Sequence, residues 1–375
     1  MSRPGHQARS TRIATWLTAT LLLAACSGTQ HKPAAGAVDL LIQGGTLFDG
    51  SDSPARTADV AVSGDRIIEV GPDLAGRYRA ARTIDARGLV VAPGFIDPHT
   101  HPSSHIRSPD PRVRRNLPWL HQGVSTIFIG IDGGGTPDIA EQSEWFQSHG
   151  VGTNIAAYVG LGPVRRRVLG DEDRAPDADE LAQMRGMVAD AMCQGAIGLS
   201  TGLFYAPQSF ATTDEVVALA EEAAVRGGVY DTHQRDESSY SIGLMGSIEE
   251  VLEIGRRARI PVHIAHIKAL GTDVHGSAGK IIERIGRARA EGIRVTADQY
   301  PWLASATGIE AALLPRWAQD GCREALFTRL GEPATAGRIR GEMEQNLRRR
   351  GGAAAILMIG QGWPWSGRTL AQMAE

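Results

Sequence analysis

Histidine falls at the ends of three apolar runs in this chain, at spacings that suit metal ligation. The run "GLVVAP" leads into "GFIDPHTHP", residues 94–102, which sets His99 and His101 two apart. Side chains two apart on an extended backbone share a face, so both imidazoles are expected to point one way. Imidazole nitrogen is a good zinc ligand, and a catalytic zinc takes three protein ligands with one position left for water. In "GGVYDTHQRDE" the alternation puts Val229, Asp231, His233 and Arg235 on one face. In "PVHIAHIKALG" it separates two histidines. Val262, Ile264, His266 and Lys268 share one face, which makes His266 the expected ligand, while His263 is expected to be packed or at the surface, facing the helices. "VSTIFIGIDGGG" places Asp132 just ahead of three glycines. Asp-Gly is a common turn pair, yet a carboxylate beside four histidines is at least as good a ligand. The other histidines (His6, His31, His105, His121, His149 and His275) lie outside these strand ends and read as solvated or structural. Cys193 and Cys322 form neither a zinc motif nor a disulfide framework, and Cys193, inside a helical pattern, is expected to be a buried small side chain.

The elements around these residues predict an α/β architecture. From about Leu89, short apolar runs alternate with amphipathic helices: "LVVAPGFID", "GVSTIFIGI", "NIAAYVGL", "GAIGLSTG", "GGVYDTH", "IPVHIAHI" and "GIRVTADQYP". Capping boxes are expected at Asp177/Glu180, Thr212/Glu215 and Ser247/Glu250. Strand–helix repetition implies a parallel sheet covered by helices. With the polar residues at the C-terminal ends of the strands, a (β/α)8 TIM-type barrel is the expected fold. A doubly wound sheet is the alternative, but no Gly-rich phosphate loop follows the first strand. Seven strands are evident. Residues 302–352 read as an insertion, and "AAAILMIG", 353–360, is the one candidate for an eighth strand. Upstream, residues 38–91 alternate in short runs broken by Gly-Gly, Asp-Gly and Ser-Gly-Asp, which predicts a small β domain of hairpins. The barrel is expected over 92–375.

Composition adds limits. The 375 residues carry a net charge of -3, which offers no electrostatic case for nucleic acid. Residues 1–26 carry Arg3, Arg9 and Arg12, then "IATWLTATLLLAA", an apolar stretch short for a membrane span. The stretch closes on "LAAC", which resembles a bacterial lipobox with Cys26 as the lipidated residue; an ordinary secretory signal is the plainer alternative. Residues 27–37 then read as a tether. The expectation is a lipoprotein anchored to a membrane by its N-terminus, facing the periplasm, with Ser27 after the cysteine resembling the signal for outer-membrane sorting.

Together "GFIDPHTH", "QGVSTIFIG", "GAIGLSTGLFYAP", "YDTHQRDE", "HIAHIKALG" and "VTADQYPWLAS" resemble the amidohydrolase superfamily, and within it the N-acyl-D-amino-acid deacylases (D-aminoacylases). The resemblance runs from about Asp39 to the last residue and implies a zinc enzyme, with one or two ions, that cleaves the amide bond of small N-acyl-D-amino acids. It assigns His99 and His101 to the first metal pair and His233 and His266 to the second. It places Tyr205, Arg235, Lys268 and Tyr300 around the substrate, with Lys268 on the α-carboxylate. Three departures stand out. Where the family has Gly-Asn-Cys-Gly, with cysteine on zinc, this chain has "GIDG", so Asp132 takes the thiolate's place. Where the family has Gly-His-Gly-Thr, this chain has "GLGP", with Leu161 for a histidine near the pocket. The superfamily's general base is an aspartate after the eighth strand, and residues 345–374 contain no acid. That aspartate is therefore expected beyond Glu375, together with the strands that in the family return to complete the small N-terminal β-sandwich, which is expected to be incomplete here, and the chain is expected to be a C-terminally truncated copy of a longer protein. The alternatives are an amidohydrolase acting on dipeptides or cyclic amides, and, if the chain ends at Glu375, a metal-binding pseudoenzyme.

Overall fold

The computed structural model describes residues 36–375. The expected signal, Cys26 and nearly all of the 27–37 tether lie outside the described residues. The chain divides into two compact units between Pro93 and Gly94.

The first unit is one sheet of β1 (Ala37–Leu47), β2 (Arg56–Ser63), β3 (Arg66–Gly71), β4 (Arg79–Asp85) and β5 (Val90–Val91). Its order is β3-β2-β1-β4, with β5 also on β1. Only β1–β2 and β2–β3 are the antiparallel pairs that the turn signals predict; β4 and β5 run parallel to β1. The cause is the turn at Leu74–Gly76, where Leu74 is fully buried with Val38, Leu41 and Ala61. Asp59 fixes that turn, accepting from the backbone N–H of Leu74 at 2.9 Å and of Gly44 at 2.8 Å.

The second unit contains β6 (Phe95–Asp97), β7 (Val124–Ile129), β8 (Asn154–Ala157), β9 (Val159–Gly160), β10 (Gly198–Gly202), β11 (Val229–His233), β12 (Val262–Ile264) and β13 (Val295–Ala297). All of their pairings are parallel and follow chain order, in two sheets, β6-β7-β8 and β9-β10-β11-β12-β13. Each expected strand run therefore yields a strand, and "NIAAYVGL" yields two that are interrupted at Tyr158. The run 353–360 does not join either sheet. Ala353–Ala355 is a 3-10 turn and Leu357 makes a single antiparallel bridge to Thr369, so this segment satisfies its backbone locally. Residues 302–352, expected as an insertion, form helices that include Ile309–Leu313, Arg323–Gly331 and Pro333–Arg349.

The core settles which face of each strand is which. Leu199, Tyr230, Val262 and Ile264 share one apolar cluster with Val188, Leu219, Val251 and Ile285 from the helices. The opposite face carries Ser200, Asp231, His263 and Thr296, neighbours in strand register. Ser200 donates to Asp231 at 2.9 Å. This reverses the expected placement of His263: Val262 and Ile264 face the helices, and His263 faces away from them. Alternation gives two faces but does not say which one meets the helices when both are covered.

Helix ends show the same mixture. The Ala178–Cys193 helix has the full Asp177/Glu180 capping box, whereas Cys193 at its end is exposed rather than buried. Thr212 caps the Thr213–Ala224 helix, accepting from Glu215 N–H. The Glu215 side chain does not return the bond but turns to Arg165. The next helix, Gly243–Ala258, begins a turn before Ser247, because the Ser247 hydroxyl is taken by the backbone N–H of Asp236 at 2.7 Å.

Arg165 and Glu215 form the most deeply buried ion pair among the described residues, with side-chain exposures of 0% and 2% and a contact of 2.6 Å. Arg165 also donates to the carbonyls of Glu172 and Arg174. Removing one partner strands a buried charge, which costs about 3–5 kcal/mol. Glu215→Ala is therefore expected to shift the urea unfolding midpoint by that equivalent. Glu221→Ala, at a more exposed position of the same helix, is expected to stay within about 0.5 kcal/mol of the unaltered protein.

Candidate metal centre

The five expected ligands converge. Beyond Asp97 the chain continues extended enough to put His99 and His101 on one side, ring centroids 5.5 Å apart. Thr100 turns the other way and donates to the carbonyl of Phe128. Asp132 follows β7 with a left-handed backbone, φ 55°. Its Oδ1 lies 3.5 Å from His99 Nε2, 3.4 Å from His266 Nε2 and 3.7 Å from His233 Nδ1, and its Oδ2 lies 3.3 Å from His101 Nε2. The donors thus fall into two groups, His99–His101–Asp132 and Asp132–His233–His266, with Asp132 in both.

Each ligand has a local cause. His233 is the last residue of β11. His266 does not arrive by strand alternation, because β12 ends at Ile264. A left-handed turn, φ 36° at His266, swings the ring toward Asp132, and the Asp298 carboxylate holds it by accepting the His266 backbone N–H. Asp132 is held from two sides. Gln208 Nε2 donates to its carbonyl at 3.0 Å, while Gln208 Oε1 accepts from Gly202 N–H at 2.7 Å. Gly133 N–H donates to Ser200 Oγ at 3.0 Å. A Cβ at Gly133 would lie 1.8 Å from Gln208 Oε1, and its φ is +70°, so only glycine suits this position.

Two outer carboxylates escaped the sequence reading. Glu237 is only 3% exposed and sits 3.1 Å from His266 Nδ1, 3.8 Å from His233 Nε2 and 2.5 Å from Lys268 Nζ. Asp298 bonds His263 Nε2 at 2.8 Å as well as the His266 backbone. Ligating histidines are regularly oriented by such carboxylates, so the acids in "THQRDE" and "TADQY" were the available signal.

A cavity of about 670 Å3 opens over the ligands, and Tyr205, Lys268 and Tyr300 line it. Tyr205 stacks obliquely on His233, centroids 4.7 Å apart, and Lys268 Nζ lies 5.7 Å from the centre of the Tyr300 ring. Arg235 does not join them. β11 stops two residues before it, and its guanidinium is committed to Glu250 and to the carbonyls of Ser209 and Ala211. Leu161 likewise sits fully buried in the apolar core rather than on this cavity. Glu375, the one acid after Glu344, is exposed at the end of the Leu370–Ala374 helix and does not line the cavity. It therefore does not stand in for the expected general-base aspartate.

Burial and charge oppose one another throughout the cluster. Burial alone would raise the Asp132 carboxyl, yet the imidazoles of His101, His266 and His99 hold it far below the ordinary carboxylate range. Burial lowers His233 to about 4. For His266 burial is outweighed by the Asp132 and Glu237 carboxylates, which lift it to about 9. Burial also pushes the Lys268 ammonium below its usual value despite Glu237.

The residues fit a zinc site. Both ring nitrogens of His99 and Asp132 Oδ1 are buried without a hydrogen-bond partner among the described residues, which buried polar atoms rarely tolerate. Zinc bonds of about 2.0–2.1 Å in a tetrahedron require donors about 3.3 Å apart. The Asp132–imidazole separations of 3.3–3.7 Å match that edge.

Comparison with known proteins points the same way. Residues 82–116 match the model of the Amidohydrolase family. The D-aminoacylase of Alcaligenes xylosoxydans xylosoxydans is 37% identical over 292 residues, covering 72% of this chain and 58% of the relative. A D-aminoacylase crystal structure superimposes with a TM-score of 0.67 at 31% identity, covering 81% of this chain and 69% of that one. The chain belongs to the D-aminoacylase family of amidohydrolases. Another family structure, the N-acyl-D-glutamate deacylase of Bordetella bronchiseptica with zinc and a phosphonate inhibitor, has a TM-score of 0.67 at 28% identity, covering 83% and 74%. The chain spans about 58% of the length of the curated D-aminoacylase relative.

Two substitutions distinguish the ligand set from its surroundings. His266→Ala is expected to lower zinc content measured by mass spectrometry of the purified protein, whereas His263→Ala, whose ring bonds Asp298 and Thr296, should retain it. Equal loss in both would assign His263 to the metal. Gly133→Ala is expected to reduce zinc content and to destabilise by about 1–3 kcal/mol, since Gln208 must give way for the new methyl.

Proposed function

We propose that the protein is a zinc-dependent hydrolase that cleaves the amide bond of N-acyl-D-amino acids, releasing a carboxylate and a free D-amino acid. The observation that carries this reading is the Asp132 carboxylate shared by two histidine pairs beneath a cavity that holds one lysine. His99, His101, Asp132, His233 and His266 would hold one or two ions. Bound zinc supplies a water of pKa about 7 and polarises the scissile carbonyl.

The remaining chemistry belongs to the chain. Lys268 offers the ammonium for the substrate's α-carboxylate, a charge-assisted bond made stronger by burial. Glu237 holds that ammonium at 2.5 Å, which keeps it charged and aimed while the cavity is dry. Tyr205 keeps its proton, its phenol pushed up to about 12 by burial, and so acts as a hydrogen-bond donor beside His233. Tyr300 lines the same cavity, its ring centre 5.7 Å from Lys268 Nζ. Residues 345–374 hold no carboxylate, and Glu375 does not line the cavity. Arg235 is not assigned a substrate role.

We also propose that the protein is a lipoprotein of the cell envelope, lipidated on Cys26 and facing the periplasm. The support is the basic, apolar and "LAAC" sequence of residues 1–26. Among the described residues no helix is long and apolar enough to cross a membrane. Recovery of the natural protein in the membrane fraction, and its release by Cys26→Ser, is the expected outcome; a wholly cytosolic protein would refute the anchor.

For the reaction, the full-length natural protein is expected to hydrolyse N-acetyl-D-amino acids in preference to their L-enantiomers, to dipeptides and to hydantoins. Chelation should abolish turnover and added zinc restore it. Turnover confined to cyclic amides would replace the deacylase reading, and zinc binding without turnover of any of these would make the protein a metal-binding pseudoenzyme. Lys268→Met is expected to raise KM for the acyl-amino acid about tenfold or more, the equivalent of one charge-assisted hydrogen bond, with zinc content unchanged.

A further inference from the structure

A second cavity, of about 580 Å3, lies beside the metal pocket, and Phe204 lines both. Its wall is rich in hydrogen-bond donors without acceptors. Arg316, Arg349 and Ser209 all line it. Arg316 Nη2, Arg349 Nε and Ser209 Oγ are all buried with no partner among the described residues.

The cations here are not matched by acids. Arg316 lies 3.9 Å above the Phe204 ring and spends Nη1 on the carbonyls of Ala311 and Leu314. Arg349 spends Nη1 on Asn346 Oδ1. The third guanidinium, Arg235, is neutralised by Glu250. The nearby acids are already engaged: Glu342 accepts from Trp317 Nε1 and Arg338, and Asp236 accepts from the backbone of Ser238, Ser241 and Gly243. Arg316 and Arg349 therefore form no ion pair among the described residues. Burial depresses the Arg316 guanidinium to about 10, the direction expected of a cation removed from water without a counter-charge. An unpaired buried charge is costly, and guanidinium groups suit planar or tetrahedral oxyanions in particular.

We propose that this cavity is an anion-binding site, separate from the metal pocket, that takes a small oxyanion (a carboxylate or a phosphate) between Arg316, Arg349 and Ser209. The two cavities share the Phe204 side chain as a wall. Phe204 meets Tyr205 edge-on with centroids 5.4 Å apart, and Tyr205 meets His233.

The test is calorimetric titration of the purified full chain with acetate and with inorganic phosphate, against chloride at matched ionic strength. It is run on zinc-loaded and on chelator-treated protein. Saturable binding of one or both oxyanions that survives zinc removal, and weakens about tenfold or more in Arg316→Met and in Arg349→Met, is the expected result. Preference for acetate over phosphate identifies the carboxylate source, and the reverse identifies phosphate. Arg316→Lys keeps the charge without the fork and is expected to bind with intermediate affinity, which covers the case in which a methionine variant does not fold. Binding that disappears with zinc places the anion on the metal and overturns the proposal, as does binding unaffected by all three substitutions or no binding beyond the chloride control.

Discussion

A half-buried carboxylate among four imidazoles is the constraint around which the second unit is organised. Asp132 is desolvated and would be protonated or expelled if it stood alone. It persists because the imidazoles of His99, His101, His233 and His266 lie within 3.3–3.7 Å of it. A harder oxygen donor keeps a zinc site possible, and Asp132 lies within reach of both histidine pairs.

Holding that group requires backbone that ordinary strand geometry does not provide. Asp132 and His266 both adopt left-handed conformations, which are costly for residues with side chains. Each is fixed by a bond that has nothing to do with metal: Gln208 and Ser200 around Asp132, and Asp298 beneath His266. Both positions lie just beyond parallel strands, Asp132 after Ile129 and His266 after Ile264.

The outer carboxylates solve a second problem. Imidazoles gathered around one acid repel each other once protonated. Glu237 adds negative charge behind them, against His266 and Lys268, and Asp298 accepts the backbone N–H of His266. The same acids aim the rings, so orientation and charge balance come from one set of groups. The apolar side of the strands is then free to bury Leu199, Tyr230, Val262 and Ile264 against the helices.

Much of this was legible in the chain. The apolar runs, their turn signals and the Asp177/Glu180 cap are local features, and local propensity is enough to place strands and helices. The five candidate ligands were legible too, because histidines and a carboxylate at strand ends are chemically conspicuous. Tertiary structure alone decided the rest. It decided that His263 faces away from the helices, since both faces of its strand are covered and alternation carries no label for which is which. It decided that His266 reaches Asp132 through a turn rather than a strand, and that Arg235, two residues after a candidate ligand, is spent on Glu250 instead of substrate. Glu237 became part of the site only when a loop folded it behind two histidines. Each of these depends on contacts between residues far apart in the chain, and a period of two or of 3.6 residues contains no information about such distances.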